Sequence, residues 1–306
     1  MIPALKDWYE NAGVRSRERR ILAEDREEGL LLFPEKLVPY LDHDALAHLG
    51  ADARRALLAQ HFYQYMQYTT QLETQVVNRG TALVAHGQVD MPLSAQARLD
   101  AFKIYCDEGY HALFSLDLLQ QIEKAVGIPA LPYDFGPRMA RLEQAAERFL
   151  PGCGSLGHIL QVVSFETVVT SLLSEIPRDP TVYRAVRAVV DDHVSDEVHH
   201  HAYFARFFKE LWAGLSPARR VDVACAMPHF VHACLVPEPA PVRAALVSVG
   251  VSTSDADAVL RDHYGEAALS EAVNEAGRHT LRLCQAVGAF DLPQAQEQLQ
   301  LLNLRI

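Results

Sequence analysis

The sequence predicts an all-α fold in which four long helices form a bundle, and three observations favour it. Long segments repeat apolar residues at helical spacing, as Leu58, Phe62 and Tyr65 do within residues 52–86. No segment sustains the alternation of apolar and polar residues that indicates a sheet. The pentapeptides Asp107–His111 and Asp196–His200 both read D-E-x-x-H, and residues three apart share one face of a helix.

The predicted helices follow one another between short breaks. Ser94 is a plausible N-cap for the second long helix, and Gly127 follows its last turn. An irregular, partly helical arm precedes the bundle, over residues 1–50. We expect a single domain over 1–306, with the bundle at roughly 52–213 and a helical extension at 217–290. The expected helices span residues 52–86, 95–125, 136–150, 154–174, 181–213, 217–235, 240–249, 254–264 and 266–289.

The segment at residues 154–174 reads GSLGHILQVVSFETVVTSLLS and is apolar on nearly every side. A helix of this kind is buried all round. Glu166 lies in its middle, and a buried carboxylate is costly unless it is paired or bound to a metal.

The two D-E-x-x-H motifs each present a carboxylate and an imidazole to one point. Two Glu-x-x-His helices and one glutamate from each of two further helices form the di-iron site of a four-helix bundle. Glu73 and Glu166 supply the two further glutamates, each on its own helix. Taken singly, each residue would be a solvated charge or a paired core charge. Their joint order predicts a two-metal site, since carboxylates bridge metals and imidazoles suit iron.

Further side chains flank the predicted ligands. Asp107 and Asp196 are placed to accept the second N–H of a ligand histidine and so to fix its tautomer. His193 lies four residues before Glu197 and seven before His200, on the same helical face. We expect His193 to be an additional ligand, with His201 as its rival.

Composition excludes several classes of function. The formal net charge is −11 and no run of lysine or arginine occurs, so neither nucleic acid nor a lipid surface is expected as a partner. The five cysteines form no C-x-x-C pair, which is typical of a reducing cytoplasm. The first residues are polar and charged, without a signal-peptide apolar region. No uncharged apolar stretch is long enough to span a membrane.

The set Glu73, Glu108-x-x-His111, Glu166 and His193-x-x-x-Glu197-x-x-His200 resembles the p-aminobenzoate N-oxygenase family. That family includes the arylamine oxygenases of aureothin and chloramphenicol biosynthesis, and its distinguishing feature is a third histidine on the last metal helix, matched by His193. The resemblance covers roughly residues 55–215. It implies a ferritin-like bundle, two iron ions per chain with O₂ as co-substrate, and a homodimer. It also implies oxidation of a primary amine, foremost an arylamine, to a hydroxylamine, nitroso or nitro product.

Several questions stay open at this level. An aliphatic amine or amino acid is an alternative substrate, and a di-iron C-hydroxylase or desaturase is an alternative enzyme. Neither of those two enzymes would need His193. An iron store would use a similar site but needs a far shorter chain, and a non-catalytic helical protein would not need the buried Glu166. Because no flavin or nicotinamide fingerprint is present, electrons must come from a separate reductase or ferredoxin. The side chains expected near the substrate are Tyr65, Thr69, Thr70, Asn78, Tyr105, Phe165 and Thr170.

Overall fold

The computed structural model describes residues 5–23, 27–173 and 175–306, without the side chains of 169–173. Within these residues the fold is helical, apart from one isolated parallel bridge between Leu31 and Val182. The all-α prediction is confirmed. The helices are α1 Trp8–Asn11, α2 Gly13–Ser16, α3 Ala51–Leu72, α4 Asn78–Ala85, α5 Ala95–Val126, α6 Gly136–Phe149, α7 Gly154–Leu173, α8 Arg184–Gly214, α9 Pro217–Leu235, α10 Pro239–Ser248, α11 Thr253–Tyr264, α12 Glu266–Ala286 and α13 Pro293–Leu301.

The first bundle helix is α3 and α4, joined by a π-helical turn over Glu73–Val77. Its outer bounds match the predicted helix at 52–86, but the π turn was not predicted. Thr70 and Thr74 on this segment donate their hydroxyls back to the carbonyls four residues earlier, Thr70 to Met66 at 2.9 Å and Thr74 to Thr70 at 2.8 Å. A π turn adds one residue to a helical turn and occurs most often at functional sites. Here it begins at Glu73.

The second bundle helix, α5, has both of its ends fixed by local sequence. The Ser94 hydroxyl accepts the Ala97 N–H at 3.1 Å, as an N-cap does. At the other end Gly127 adopts a left-handed conformation with φ 68°, which costs a glycine little. The 32 residues between them form one uninterrupted helix.

The third bundle helix, α7, is enclosed as its sequence predicts. It packs against α4, α6, α8, α9 and α12, and its residues from Ile159 to Val168 are all buried. Gly80 of α4 permits the closest approach, because a Cβ there would lie 2.4 Å from the Val162 side chain and 2.7 Å from the His158 carbonyl oxygen. Any larger residue at position 80 would push α4 and α7 apart.

The fourth bundle helix, α8, begins at Arg184 rather than near 181. The preceding residues pair instead with the chain near Leu31, where the Tyr183 N–H donates to the Leu31 carbonyl at 2.8 Å. The helices after α8 follow the expected extension closely. Helix α13, which packs on α9, was not predicted.

Two hydrophobic clusters divide the bundle along its length. One contains Met66 of α3, Leu118 of α5 and Val190 of α8. The other contains Leu72, Ile104 and Tyr203 of the same three helices. The segments between these positions form a polar layer that crosses the bundle, and the predicted metal ligands all lie in it or beside it. Among the described helices, none is both long and apolar enough to cross a membrane.

Candidate metal centre

The fold brings all seven predicted ligands together in the polar layer. Every one of them is at most 3% exposed. Their ligand atoms form two groups, each with all atoms within 4.8 Å of one another. One group is Glu73, Glu108, His111 and His193, and the other is Glu108, Glu166, Glu197 and His200.

Two glutamates lie between the groups. Glu108 places Oε2 at 2.8 Å from His111 Nδ1 and Oε1 at 2.8 Å from His200 Nδ1. It therefore has one oxygen for each group. The Glu197 Oε1 atom lies 3.4 Å from His111 Nδ1, 3.2 Å from His193 Nε2 and 3.3 Å from His200 Nδ1. Glu108 belongs to both groups, whereas Glu197 belongs to the second group and directs one oxygen toward histidines of both.

The remaining two glutamates close the cluster at opposite ends. Glu73 Oε1 lies 3.6 Å from His193 Nε2. Glu166 Oε2 lies 3.9 Å from His200 Nδ1. These separations are longer than hydrogen bonds, and they leave room for an ion among the groups.

The three histidines of α8 other than His200 have different environments. His193 lies in the cluster, with its ring centroid 4.1 Å from that of His111. His201 turns away and meets the ring of His279 at 6.3 Å, while His199 is exposed. The geometry favours His193 over His201 as the additional ligand.

The aspartates that precede each ligand glutamate bind the histidine of the other motif. His200 Nε2 lies 3.1 Å from Asp107 Oδ2, and His111 Nε2 lies 3.2 Å from Asp196 Oδ2. These are the contacts expected of Asp107 and Asp196, and they cross between α5 and α8. Each Nε2–H donates to an aspartate, so each Nδ1 points into the cluster.

Burial and mutual charge set the protonation of the cluster. Burial, and then the charges of Glu108 and Glu197, raises the pKa of Glu73 well above its ordinary value. Burial, and then Glu197 and Glu108, does the same to the pKa of Glu166. For Glu108 burial and Glu197 oppose ionisation, but His200 and His111 bring its pKa down to about 2.

The histidines respond in the opposite way. Burial alone would lower the pKa values of His111 and His200, but Glu108 and the other carboxylates raise both pKa values well above the ordinary one. Burial, together with the charge of His111, lowers the pKa of His193. The neutral ring is therefore favoured, and its Nε2 lies 3.2 Å from Glu197 Oε1.

The donor atoms fit a pair of divalent cations. Glu166 Oε2 is buried and has no hydrogen-bond partner among the described atoms. Glu108 Oε1 and His200 Nδ1 lie 2.8 Å apart, but their orientation does not give a well-aligned hydrogen bond. Unsatisfied buried polar atoms are rare and indicate a missing ligand or ion. Four carboxylates with three imidazoles are a donor set suited to iron.

The seven residues that the sequence predicts near the substrate differ in burial and in hydrogen bonding. Thr69, Asn78 and Phe165 are buried near the ligands, and the Tyr65 hydroxyl is buried without a partner among the described atoms. Burial, then the charges of Glu73 and Glu197, raises the pKa of Tyr65.

The expectation for Tyr105 was wrong, because its side chain is 43% exposed on the outer surface of α5. Thr70 is used structurally, through its bonds to the carbonyls of Met66 and Ala112. The Thr170 side chain lies outside the described residues.

Sequence reasoning missed the residues that surround the histidines. Phe114 packs on the rings of His111 and His193, with centroids 5.4 and 5.8 Å away. Trp8 and Gly13 of the N-terminal arm bind Asp107 and Asp196. Phe114 could have been found, since it is three residues after His111 on one helical face. The arm residues carry no such local signal.

Comparison with models of protein families identifies a match over most of the chain. The family model described as p-aminobenzoate N-oxygenase AurF matches residues 20–288. A search of curated proteins gives no significant match. The matched span contains all seven clustered ligands and the helices that carry them.

Proposed function

Since this chain belongs to the p-aminobenzoate N-oxygenase AurF family, we propose that it uses O₂ to oxidise the nitrogen of a primary amine, foremost an arylamine. The product is a hydroxylamine, or a nitroso or nitro compound after further rounds. The buried cluster of four glutamates and three histidines carries this proposal. An aliphatic amine or amino acid is the alternative substrate.

Two iron ions per chain form the proposed cofactor. Glu73, His111 and His193 hold one ion, Glu166 and His200 hold the other, and Glu108 and Glu197 lie between them. When bound, iron supplies the redox chemistry that activates O₂. The unsatisfied Glu166 Oε2 atom, and the convergence of four carboxylates on three imidazoles, support this assignment.

The protein contributes orientation and exclusion of water. Asp107 and Asp196 hold the Nε2–H tautomers of His200 and His111, so that both Nδ1 atoms face inward. Phe114 covers the outer side of His111 and His193. The unpartnered Tyr65 hydroxyl is the group we assign to orienting the amine, since apolar pockets use few polar groups for this purpose.

The overall reaction needs electrons from outside the chain. Formation of a hydroxylamine inserts one oxygen atom of O₂ into an N–H bond. The other oxygen leaves as water, which takes two electrons and two protons. A reductase or ferredoxin is the proposed donor.

A homodimer is also proposed, and an exposed seam along α5 supports it. The residues Leu99, Phe102, Cys106, Gly109, Leu113 and Leu116 are all exposed. Their spacing alternates between three and four residues, which is the heptad pattern of paired helices. The spacing is also symmetric, so antiparallel pairing would set Leu99 against Leu116 of the partner subunit, as two-fold symmetry requires.

The dimer is tested by placing a charge within the seam. Leu113→Glu should turn the protein into a monomer in analytical ultracentrifugation. Leu301 has the same 62% exposure but lies on α13, so Leu301→Glu should remain a dimer. A monomeric parent protein would reject the proposal.

The reaction is tested with isotopic oxygen. The iron-loaded protein is reduced without oxygen, mixed with ¹⁸O₂ and offered a panel of arylamines and amino acids. Mass spectrometry should show ¹⁸O on nitrogen in at least one product. Label found only on carbon, or an unlabelled alkene, would instead assign the protein to the hydroxylases or desaturases.

A further inference from the structure

The first part of the N-terminal arm, residues 5–23, lies across the outer faces of α5 and α8, behind the histidines of the cluster. It is called the arm from here on. Lys103 of α5 donates to the Leu5 carbonyl at 2.8 Å. Further along, Arg19 forms two hydrogen bonds with Asp117 of α5, and Arg20 forms two with Asp192 of α8. The arm is thus attached to both motif-bearing helices on either side of the site.

Two hydrogen-bond relays lead from this arm to the cluster. The Trp8 indole N–H donates to both oxygens of Asp107, at 2.9 and 2.7 Å. Asp107 in turn accepts from His200 Nε2 at 3.1 Å. His200 Nδ1, at the other side of the same ring, faces Glu108.

The second relay has the same order of groups. The Gly13 backbone N–H donates to both oxygens of Asp196, at 3.1 and 3.2 Å. Asp196 accepts from His111 Nε2 at 3.2 Å, and His111 Nδ1 faces Glu108. Each relay therefore ends at a different histidine of the cluster.

The second relay depends on glycine. A Cβ at position 13 would lie 2.6 Å from Asp196 Oδ2, which is closer than atoms can pack. A methyl group there would displace either the arm or the carboxylate. In the first relay, the donor is the indole N–H of the half-buried Trp8. The side chain of its neighbour Tyr9 is exposed.

We propose that the N-terminal arm is a positioning element of the metal centre, in which Trp8 sets His200 through Asp107 and Gly13 sets His111 through Asp196. This inference rests on the proposed two-metal function. Groups that orient a metal-bound histidine typically change metal affinity roughly 10- to 100-fold when removed. Trp8 and Gly13 lie one hydrogen bond further from the histidines, because they bind the aspartates that orient the rings.

The test uses Co²⁺ as a spectroscopic probe on the full chain. Trp8→Phe removes the indole donor and keeps an aromatic ring, and Gly13→Ala introduces the clashing methyl. Both should bind Co²⁺ more weakly in competition with a chelator and shift its visible ligand-field bands. Tyr9→Phe and Gly214→Ala are the matched controls, and Gly214 has open space around it; both should match the parent protein.

A third variant distinguishes positioning through the two relays from an alternative in which the arm only covers the site. Arg19→Ala removes an attachment to Asp117 without touching either relay, so it should keep the parent Co²⁺ spectrum. If the Co²⁺ spectrum of Arg19→Ala shifted as much as that of Trp8→Phe, the relay would be overturned, and covering of the site by the arm would explain both results. Parent-like Co²⁺ affinity and spectra in Trp8→Phe and Gly13→Ala would overturn it outright. If the parent chain binds no Co²⁺ or Fe²⁺, the proposed function fails first and the inference with it.

Discussion

Loading the site with two divalent ions should release about four protons per chain, because metal ligands must be deprotonated. Two of these protons come from carboxyl groups. Burial and neighbouring negative charge raise the pKa values of Glu73 and Glu166 well above the ordinary range. The protonated form of both groups is therefore favoured when no metal is bound, and each must ionise to bind an ion.

The other two protons come from imidazoles. Against the effect of burial, nearby carboxylates raise the pKa values of His111 and His200 well above the ordinary value. Each ring must lose its proton at Nδ1, the nitrogen that faces the cluster. Glu108 and His193 add none, since the first is already ionised and the second already neutral.

Glu197 also adds no proton. Burial opposes its ionisation, but the charge of His200 and hydrogen bonds from the three histidines hold its pKa well below the ordinary value. Without metal, two carboxylates then balance two imidazolium ions. With metal, four carboxylates balance two divalent ions. Among the seven cluster residues alone, charges of opposite sign therefore balance in either state, which reduces the cost of burying them.

Calorimetry measures the proton count directly. The metal-free protein is titrated with Co²⁺ near neutral pH in buffers of different ionisation enthalpy, and the slope of heat against that enthalpy gives the protons released. As the pH falls, protons compete more strongly for Glu73, Glu166, His111 and His200, so affinity should fall. Two bound ions with at most one released proton would show that the metal-free cluster is already deprotonated, and would refute the reasoning.

Three further predictions concern single residues. Glu166→Ala should lower iron below two ions per chain and abolish turnover while far-ultraviolet circular dichroism keeps its helical signal; full iron occupancy would contradict the ligand assignment. His193→Ala should change the visible spectrum of the iron-loaded protein, whereas His201→Ala should not; the reverse result would exchange their roles. Gly80→Ala should destabilise the metal-free protein by about 1–3 kcal/mol in urea unfolding, the usual effect of overpacking, whereas Gly214→Ala in open space should not.

The residues of the buried cluster could be predicted because their signals are local. Each Glu-x-x-His pair repeats at a spacing that a single helix converts into one face. Glu166 stands out because its neighbours are apolar in every direction. His193 shares a face with Glu197 and His200 at spacings of four and seven. None of these inferences needed a contact between distant segments.

The arm and the π turn could not be predicted for the opposite reason. Trp8 and Asp107 are 99 residues apart, and Gly13 and Asp196 are 183 apart, so only the folded chain brings them together. The π turn at Glu73 packs against α5 and α7, which are distant in the sequence. Helix α13 buries only Ala295 and Leu299, an apolar stripe too narrow to distinguish from a polar loop.

The C-terminal helices explain why α7 is apolar on every face. In a bare four-helix bundle, one side of each helix faces water and carries polar residues. Here α9 and α12 cover the side of α7 that the bundle leaves open, which accounts for its apolar sequence on every face. Glu166 is left 2% exposed, with His200 and the other carboxylates as its nearest charged groups. Because the Glu166 carboxylate is enclosed, it is either protonated or bound to a cation. Metal loading is therefore coupled to the release of its proton.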